Sequence, residues 1–202
     1  LYHKGLLRHW RIYLDSPMAI EVTRLYDQWL DEMAQKDQKV LDRYDADTLE
    51  EFLPNLTLTP DVEESIQINK MDSRIIVIAG SGMCTGGRIR HHFKHRIWRD
   101  DTHVVFAGFQ AAHTLGRQLV DGKQYIRMFG DQFMVRAQIH TLGGFSAHAS
   151  RSELLDWAGA IGGHPKIRLV HGEPAALEAM QGALAERDLP ATIAQRGETV
   201  DL

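Results

Sequence analysis

Two histidines stand where α/β proteins often carry chemistry, in loops that precede a helix. His148 follows a Gly-Gly-Phe-Ser-Ala run, and His171 follows the apolar stretch of residues 167–170. A neutral imidazole can bind zinc, and a protonated one can give a proton to a leaving oxygen near neutral pH. A hydrolytic zinc site needs at least three ligands, and no His-x-His-x-Asp-His run occurs in the 202 residues. The residues alone therefore indicate two candidate functional histidines, with a structural role for each still open.

A glycine-rich loop, residues 80–87, lies between a predicted strand and a predicted helix. In such a loop the backbone N–H groups can hold a phosphate, and the helix start adds partial positive charge. The glycine spacing is related to the dinucleotide-binding fingerprint but does not match it, because the next strand, residues 103–107, is followed by Gly-Phe-Gln rather than an acid. The loop therefore predicts phosphate contact and gives dinucleotide binding little support. Tight packing of the helix on the sheet explains the glycines equally well.

The helix predicted after this loop is strongly basic. Residues 88–99 carry five Arg or Lys residues and three histidines, although the whole chain has a net charge of −4. The global charge argues against indiscriminate binding of nucleic acid, whereas a local basic segment beside a phosphate-suited loop favours electrostatic steering. A solvated charged face is the alternative. The buried stripe of this helix is predicted from three apolar residues spaced four apart, Ile89, Phe93 and Ile97.

The elements that must position these residues alternate between strand and helix, which predicts an α/β fold with a mainly parallel sheet. Ser16 and Pro17 favour a helix start, since serine can accept the first amide hydrogens and proline at the first position gives up no bond. Residues 2–10 indicate the end of a helix, and residues 34–60 indicate short helices and loops. The apolar residues that predict packing of the Ser16-Pro17 helix on a sheet are Met18, Val22, Leu25, Tyr26, Trp29 and Met33. Strands are predicted at 11–15, 74–79, 103–107, 125–128, 133–139, 166–170 and 191–194, and further helices at 61–70, 88–99, 114–120, 153–160 and 174–187.

The composition is that of a soluble globular protein, with 44% hydrophobic and 25% charged residues. The longest apolar run, residues 75–79, has the length of a strand and cannot cross a bilayer, so no membrane partner is expected. The single cysteine, Cys84, predicts no internal disulfide and a cytoplasmic location. The chain opens at Leu1 rather than Met, which suggests a piece of a longer protein.

Four short motifs make the chain resemble the β-CASP nucleases of the metallo-β-lactamase superfamily. That family includes the endonuclease subunit of the cleavage and polyadenylation specificity factor, RNase J and the Artemis-type DNA nucleases. Each motif is weak alone, whereas four in this order and spacing, over essentially the whole chain, are a strong resemblance. The motifs are Leu-Asp-Ser-Pro-Met-Ala from Leu14, Ala-Gly-Ser-Gly-Met from Ala79, Gly-Phe-Ser-Ala-His-Ala from Gly144 and Val-His-Gly-Glu from Val170.

The resemblance implies two domains. Residues 1–143 would form the β-CASP domain, with a Rossmann-like, mainly parallel sheet. Residues 144–202 would form the returning C-terminal strand and helix segment of a metallo-β-lactamase domain, whose N-terminal zinc-binding region would be missing from this chain. The implied activity of the intact parent protein, of which this chain would be a piece, is hydrolysis of RNA phosphodiester bonds with two zinc ions. The chain by itself would not cleave RNA.

The resemblance also assigns roles to residues. His148 would be catalytic and would help to protonate the leaving group, and His171 would ligate one zinc. A histidine at the latter position favours single-stranded RNA over DNA as the substrate, with DNA still open. Residues expected to contact the RNA phosphates are Ser146, Ala147, Ser81, Gly82 and Met83.

Ser150 departs from the family pattern, which has an acidic or small residue there, so a functional role at that position is in doubt. Three alternatives stay open at this stage: a catalytically inactive β-CASP scaffold, a Rossmann-like nucleotide-binding module, and a partner-binding α/β domain. The sequence does not distinguish an endonuclease from an exonuclease. A homodimer is common among such proteins, but no residue pattern establishes one here.

Overall fold

The computed structural model describes residues 4–34, 53–145, 148–163 and 165–199. Its contacts divide the chain into two units, Leu1–Leu142 and Gly143–Leu202. Each unit combines helices with small, mostly parallel sheets, so the predicted α/β class is confirmed. The described strands form four small sheets, so the Rossmann-like arrangement that was predicted for the first domain is not confirmed.

A three-stranded parallel sheet begins the first unit. Strand β1 (Arg11–Leu14) lies in the centre, between β2 (Leu56–Leu58) and β3 (Ile75–Ile78). Ile12 lies opposite both Leu56 and Ile76, so branched and apolar side chains line this sheet. Because the strands are parallel, their carboxyl ends and the loops that follow lie at one edge. That edge carries the residues after Leu14, Leu58 and Ile78.

Four described helices follow strands of the first unit. They are α1 (Pro17–Ala34), α2 (Val62–Ile68), α3 (Ile89–Arg96) and α4 (Leu115–Val120). Ser16 caps α1 as predicted, since its hydroxyl accepts a hydrogen bond from the Ala19 amide at 3.4 Å. Thr114 caps α4 in the same way and accepts from the Arg117 amide at 3.1 Å.

The remaining strands of the first unit surround a second apolar cluster. Strand β4 (His103–Phe106) pairs in parallel with β7 (Gln138–Thr141), and β5 (Tyr125–Met128) forms an antiparallel hairpin with β6 (Asp131–Met134). The predicted stripe of α3 is confirmed, because Phe93 and Ile97 are buried and Ile89 packs against them. The buried members of this cluster are Cys84, Phe93, Ile97, Phe106, Leu119, Ile126, Met128 and Ala137.

The second unit is smaller. Helix α5 (Arg151–Ala160) is followed by β8 (Ile167–Leu169), α6 (Pro174–Ala185) and β9 (Ala191–Ile193). Strands β8 and β9 are parallel, and the two helices contribute the buried cluster of Leu155, Ala158, Ala183 and Leu184.

The structure corrects four predictions about local structure. The apolar face of α1 was predicted to pack on a sheet, but Met18, Val22, Leu25, Tyr26 and Trp29 are exposed, and the buried residue is Ile20. The side chain of Met33 lies outside the described set. The reason is that periodicity gives the residues that share a face but does not show which face the rest of the chain covers.

Two strands and a turn were also misjudged. Residues 56–58 pair with β1 although they lie in a stretch predicted as helices and loops. The predicted strand at 133–139 divides into β6 and β7, because the Arg136 and Ala137 amides leave the hairpin and donate to the Ile97 carbonyl. Residues 4–9 form turns rather than a helix end. No helix among the described residues is long and apolar enough to span a membrane.

Candidate functional site

Asp15 is the most enclosed polar residue of the first unit. It directly follows β1, its side chain is 0% exposed, and its carboxylate accepts hydrogen bonds from Thr59 at 2.9 Å and Ser65 at 2.7 Å. The Arg88 guanidinium donates to the same carboxylate at 2.7 Å, and Nε2 of His92 lies 2.6 Å from it. A buried carboxylate is costly unless it is hydrogen-bonded and paired, and Asp15 meets both conditions.

The partners of Asp15 are themselves held in place. Arg88 also donates to the carbonyl oxygens of Thr59 and Pro60, both at 2.6 Å. Nδ1 of His92 lies 2.9 Å from the side-chain oxygen of Asn69. This network, hereafter the Asp15 network, therefore joins the ends of β1 and β2 to α2 and to the first turn of α3.

The environment shifts the pKa of both titratable partners. Burial opposes ionisation of Asp15, but the hydrogen bonds from Ser65, His92, Arg88 and Thr59 outweigh it and hold the pKa of Asp15 below its ordinary value. Burial also lowers the pKa of His92, and the opposing attraction of Asp15 does not offset it. A neutral His92 with its N–H on Nε2 donates to the Asp15 carboxylate, and the Asn69 side chain must then turn its NH2 group toward Nδ1.

The glycine-rich loop, residues 80–87, closes on itself. Ser81 Oγ accepts from the Gly86 amide at 3.2 Å, and the Cys84 amide donates to the Ser81 carbonyl at 3.0 Å. Gly87 has a φ of +74°, and a Cβ there would overlap the Gly80 carbonyl, so only glycine fits. Burial raises the pKa of the Cys84 thiol to about 11, which keeps it protonated and unreactive.

Two contacts from outside the loop hold the carbonyl groups of its tip. The Gln110 side-chain amide donates to the Gly82 carbonyl at 3.0 Å, and the Gly116 amide donates to the Met83 carbonyl at 3.1 Å. A Cβ at Gly116 would overlap the Gln110 side chain, so glycine lets α4 approach the loop. The amides of Gly82 and Met83 themselves donate to none of the described residues. The loop tip is thus fixed, and two of its backbone donors have no hydrogen-bond acceptor among the described residues.

His148 lies at the start of the second unit, two residues before the N-cap of α5. Its side chain is exposed. Ser150 forms a capping box with Glu153: the Ser150 hydroxyl accepts from the Glu153 amide at 3.3 Å, and the Glu153 carboxylate accepts from the Ser150 amide at 2.7 Å. This explains Ser150 by its role in helix capping. Ser146 and Ala147, which were predicted to contact RNA, lie outside the described residues.

His171 follows β8 in a conformation that non-glycine residues rarely adopt. Its φ is +62°, its side chain is exposed, and α6 begins three residues later at Pro174. The next residue, Gly172, leaves space for Leu177, because a Cβ there would lie 2.9 Å from Leu177 Cδ2. Backbone packing of the loop on α6 thus sets the position of His171.

The donor groups of the described residues do not form a metal site by themselves. Among the described residues, no three His, Cys, Asp or Glu side chains come together in a way that could hold a metal. Zinc in a hydrolytic site takes three protein ligands, so His171 by itself does not make one. A zinc ion bound at His171 would need ligands from beyond the described residues.

The predicted site residues therefore lie in two places. Ser81, Gly82 and Met83 share the loop tip of the first unit, and His148 and His171 occupy two loops of the second. Sequence reasoning missed the network of Asp15, Arg88 and His92. A signal for it was present, since an acid that directly follows an apolar strand must find partners if it is buried.

Comparison with known families matches nearly the whole chain. The model described as "Beta-Casp domain" matches residues 1–119, which is more than half of the chain. The model described as "Zn-dependent metallo-hydrolase RNA specificity domain" matches residues 133–194. The second match includes both His148 and His171.

Curated relatives agree with these matches. Ribonuclease TTHA0252 of Thermus thermophilus is 38% identical over 190 residues, covering 94% of this chain and 42% of that protein. Transcription termination factor FttA of Pyrococcus abyssi is 31% identical over 171 residues, covering 81% of this chain and 26% of the factor. The chain thus spans less than half of the length of either relative. The chain belongs to the β-CASP family of the metallo-β-lactamase superfamily.

Proposed function

We propose that this chain is part of a ribonuclease that hydrolyses phosphodiester bonds of single-stranded RNA, with His148 as the residue that protonates the leaving oxygen. The observation that carries the proposal is the setting of His148. It is exposed, it lies two residues before the N-cap of α5, and it belongs to the segment that matches an RNA specificity domain. An imidazole held in this way can reach a bound substrate without first leaving a packed core.

The reaction is a hydrolysis. Water attacks the phosphorus atom and releases a proton to solvent, the bond from phosphorus to the leaving ribose oxygen breaks, and the imidazolium of His148 gives its proton to that oxygen. Proton transfer of this kind typically contributes a hundredfold to ten-thousandfold, roughly, to the rate. The capping box of Ser150 and Glu153 contributes by fixing the start of α5, and thereby the loop that carries His148.

The loop tip of Ser81, Gly82 and Met83 is proposed as a phosphate contact in the first unit. Its two unbonded amides and the absence of a side chain at Gly82 suit an approaching phosphate. The same role is proposed for Ser146 and Ala147. His171 is proposed as one zinc ligand, in line with the zinc dependence in the name of the matched domain. The remaining ligands would have to come from outside the described residues.

The test is cleavage of end-labelled single-stranded RNA by the full-length protein that contains this chain, assayed with zinc. His148→Ala is expected to lower the rate by about a hundredfold or more, because the leaving oxygen loses its proton donor. His9→Ala is the matched control and is expected to cleave like the parent, since it removes an exposed histidine of the first unit that lies outside both loops. Product lengths distinguish endonuclease from exonuclease action.

Two results would overturn the proposal. Equal cleavage by the His148→Ala variant would remove His148 from the reaction. A folded, zinc-loaded protein that leaves both RNA and DNA intact would favour the inactive scaffold instead.

A further inference from the structure

The basic helix α3 divides its cationic groups into two sets. One set serves the fold: Arg88 and His92 bind Asp15, and Arg96 donates to the carbonyl oxygens of Ile68 and Met71. The other set points away from these partners. Arg90, His91 and Lys94 gather around one aromatic ring, that of Phe129.

The geometry around Phe129 is close. The Arg90 guanidinium carbon lies 4.7 Å from the ring centroid, and the Lys94 ammonium lies 6.0 Å from it. The His91 ring centroid lies 4.8 Å away, tilted by 34°. Phe129 is nevertheless 44% exposed. Among the described residues, no carboxylate forms an ion pair with Arg90 or Lys94. Lys94 is exposed, whereas Arg90 is half-buried, with its Nη1 donating to the Thr85 carbonyl at 3.5 Å and its Nε buried without a partner among them.

Phe129 occupies a position that is unfavourable for a large aromatic residue. It is the first residue of the two-residue turn that joins β5 to β6, with a φ of +54°, and Gly130 follows at +88°. Two-residue turns of this kind prefer Asn-Gly or Asp-Gly, because short polar side chains tolerate positive φ. Weak surface contacts with cations do not explain why a strained turn keeps an exposed ring.

We propose that Phe129, Arg90, His91 and Lys94 form a contact site for single-stranded RNA. An unstacked base packs on the exposed surface of the Phe129 ring, and the neighbouring phosphates meet the Arg90 and Lys94 cations. Proteins that hold single strands combine these two elements, an aromatic platform and a basic surface. The inference rests on the proposed function, because it takes RNA as the substrate, and it extends that proposal to a surface of the first unit alone.

The test separates stacking from folding through Phe129→Asn. Asparagine suits the positive φ, so this variant is expected to be at least as resistant to urea as the parent while it binds RNA about fivefold or more weakly. Binding is measured by fluorescence anisotropy with a labelled oligouridylate of about 12 nucleotides, a length within known single-strand site sizes. The RNA is checked for intactness on a gel afterwards. Phe129→Tyr retains a ring and is expected to bind like the parent.

The charged part of the site is tested by salt dependence. Arg90→Ala and Lys94→Ala are each expected to reduce the slope of log affinity against log salt by about 0.7, the value for one lost phosphate contact on a single strand. Arg117→Ala is the matched cation control, since Arg117 is ion-paired with Asp121 at 2.8 Å. Tyr125→Leu is the aromatic control, at the opposite end of the same hairpin.

The outcomes are distinct. Loss of affinity in the Phe129→Asn, Arg90→Ala and Lys94→Ala variants, with both controls unchanged, supports the site. Unchanged affinity of Phe129→Asn, no RNA binding by the parent protein, or equal competition by polyglutamate overturns it. If the parent protein binds RNA through these residues but does not cleave it, the proposed hydrolysis fails while the contact site stands.

Discussion

Asp15 and His148 are both polar residues beside the end of a regular element, but their surroundings differ. Asp15 is enclosed and receives four side chains from three other segments of the chain. His148 is exposed in a loop whose backbone is fixed by the helix that follows. These surroundings distinguish a polar residue that stabilises the fold from one that is available to a substrate. A polar side chain whose bonds are completed inside the fold positions the backbone, whereas one held at the surface by a rigid neighbour can meet a substrate.

The largest expected effect comes from removing the enclosed residue. Asp15→Ala leaves Arg88 and His92 buried without their carboxylate, and loss of one partner of a buried ion pair typically costs about 3 to 5 kcal/mol. Urea unfolding of the chain measures this change. The control is Asp121→Ala, which breaks an exposed pair with Arg117 and is expected to cost about 0.5 kcal/mol. Equal losses of unfolding free energy in the two variants would contradict the view that Asp15 stabilises the fold more than an exposed ion pair does.

A second, smaller effect concerns pH. Burial holds the pKa of His92 below its ordinary value of about 6.5, so the unfolded chain binds a proton there before the folded chain does. Stability is therefore expected to fall as the pH drops below about 6.5 and through the pKa of the folded state. The pKa of Asp15 is also lowered, so its contribution is lost only at more acidic pH, below about 3.9.

The measurement is the urea midpoint at several pH values, for the parent chain and for His92→Gln. Glutamine keeps a donor toward Asp15 without titrating. Because the chain has 11 histidines, the informative quantity is the difference between the two pH profiles. Parallel profiles would mean that His92 titrates normally.

The smallest expected effect belongs to the exposed histidines. His148→Ala and His171→Ala are each expected to change the free energy of unfolding by less than about 0.5 kcal/mol, since neither side chain is buried. Elemental analysis of the purified chain is expected to find well under one tightly bound zinc per molecule. Stoichiometric zinc, or a large loss of stability in either variant, would contradict the view that the His148 and His171 side chains are exposed and do not stabilise the fold.

Much of the fold follows from local signals in the sequence. The apolar run of β3 and the helix start at Ser16 and Pro17 each fix an element within a few residues. The failures have a common physical origin. Strand β2 is three residues long and exists because β1 pairs with it. The exposed face of α1 could not be predicted, because the hydrophobic pattern does not say which face the rest of the chain covers.

The candidate site divides in the same way. His148, His171 and the tip of the glycine-rich loop could be identified from the sequence as loop residues beside helices, and their roles remain predictions. The need of a buried Asp15 for partners could be read from the sequence, but the partners could not, because Asp15 and His92 are 77 positions apart and no local rule connects them. The contact site at Phe129 could not be predicted for the same reason, since its ring and its cations come from a hairpin and a helix that are separated in the sequence.

The members of the Asp15 network come from distant parts of the chain, and this affects how the carboxyl-terminal edge of the β2-β1-β3 sheet unfolds locally. The carboxylate is satisfied only when the segments that carry Thr59, Ser65, Arg88 and His92 are all in place. Losing one segment exposes the others to the cost of an unpaired buried charge, so the edge separates cooperatively rather than by fraying. The Asp15 amide, which donates to Ile78, and the Thr59 amide, which donates to Leu14, should therefore exchange with solvent deuterium through one shared opening event.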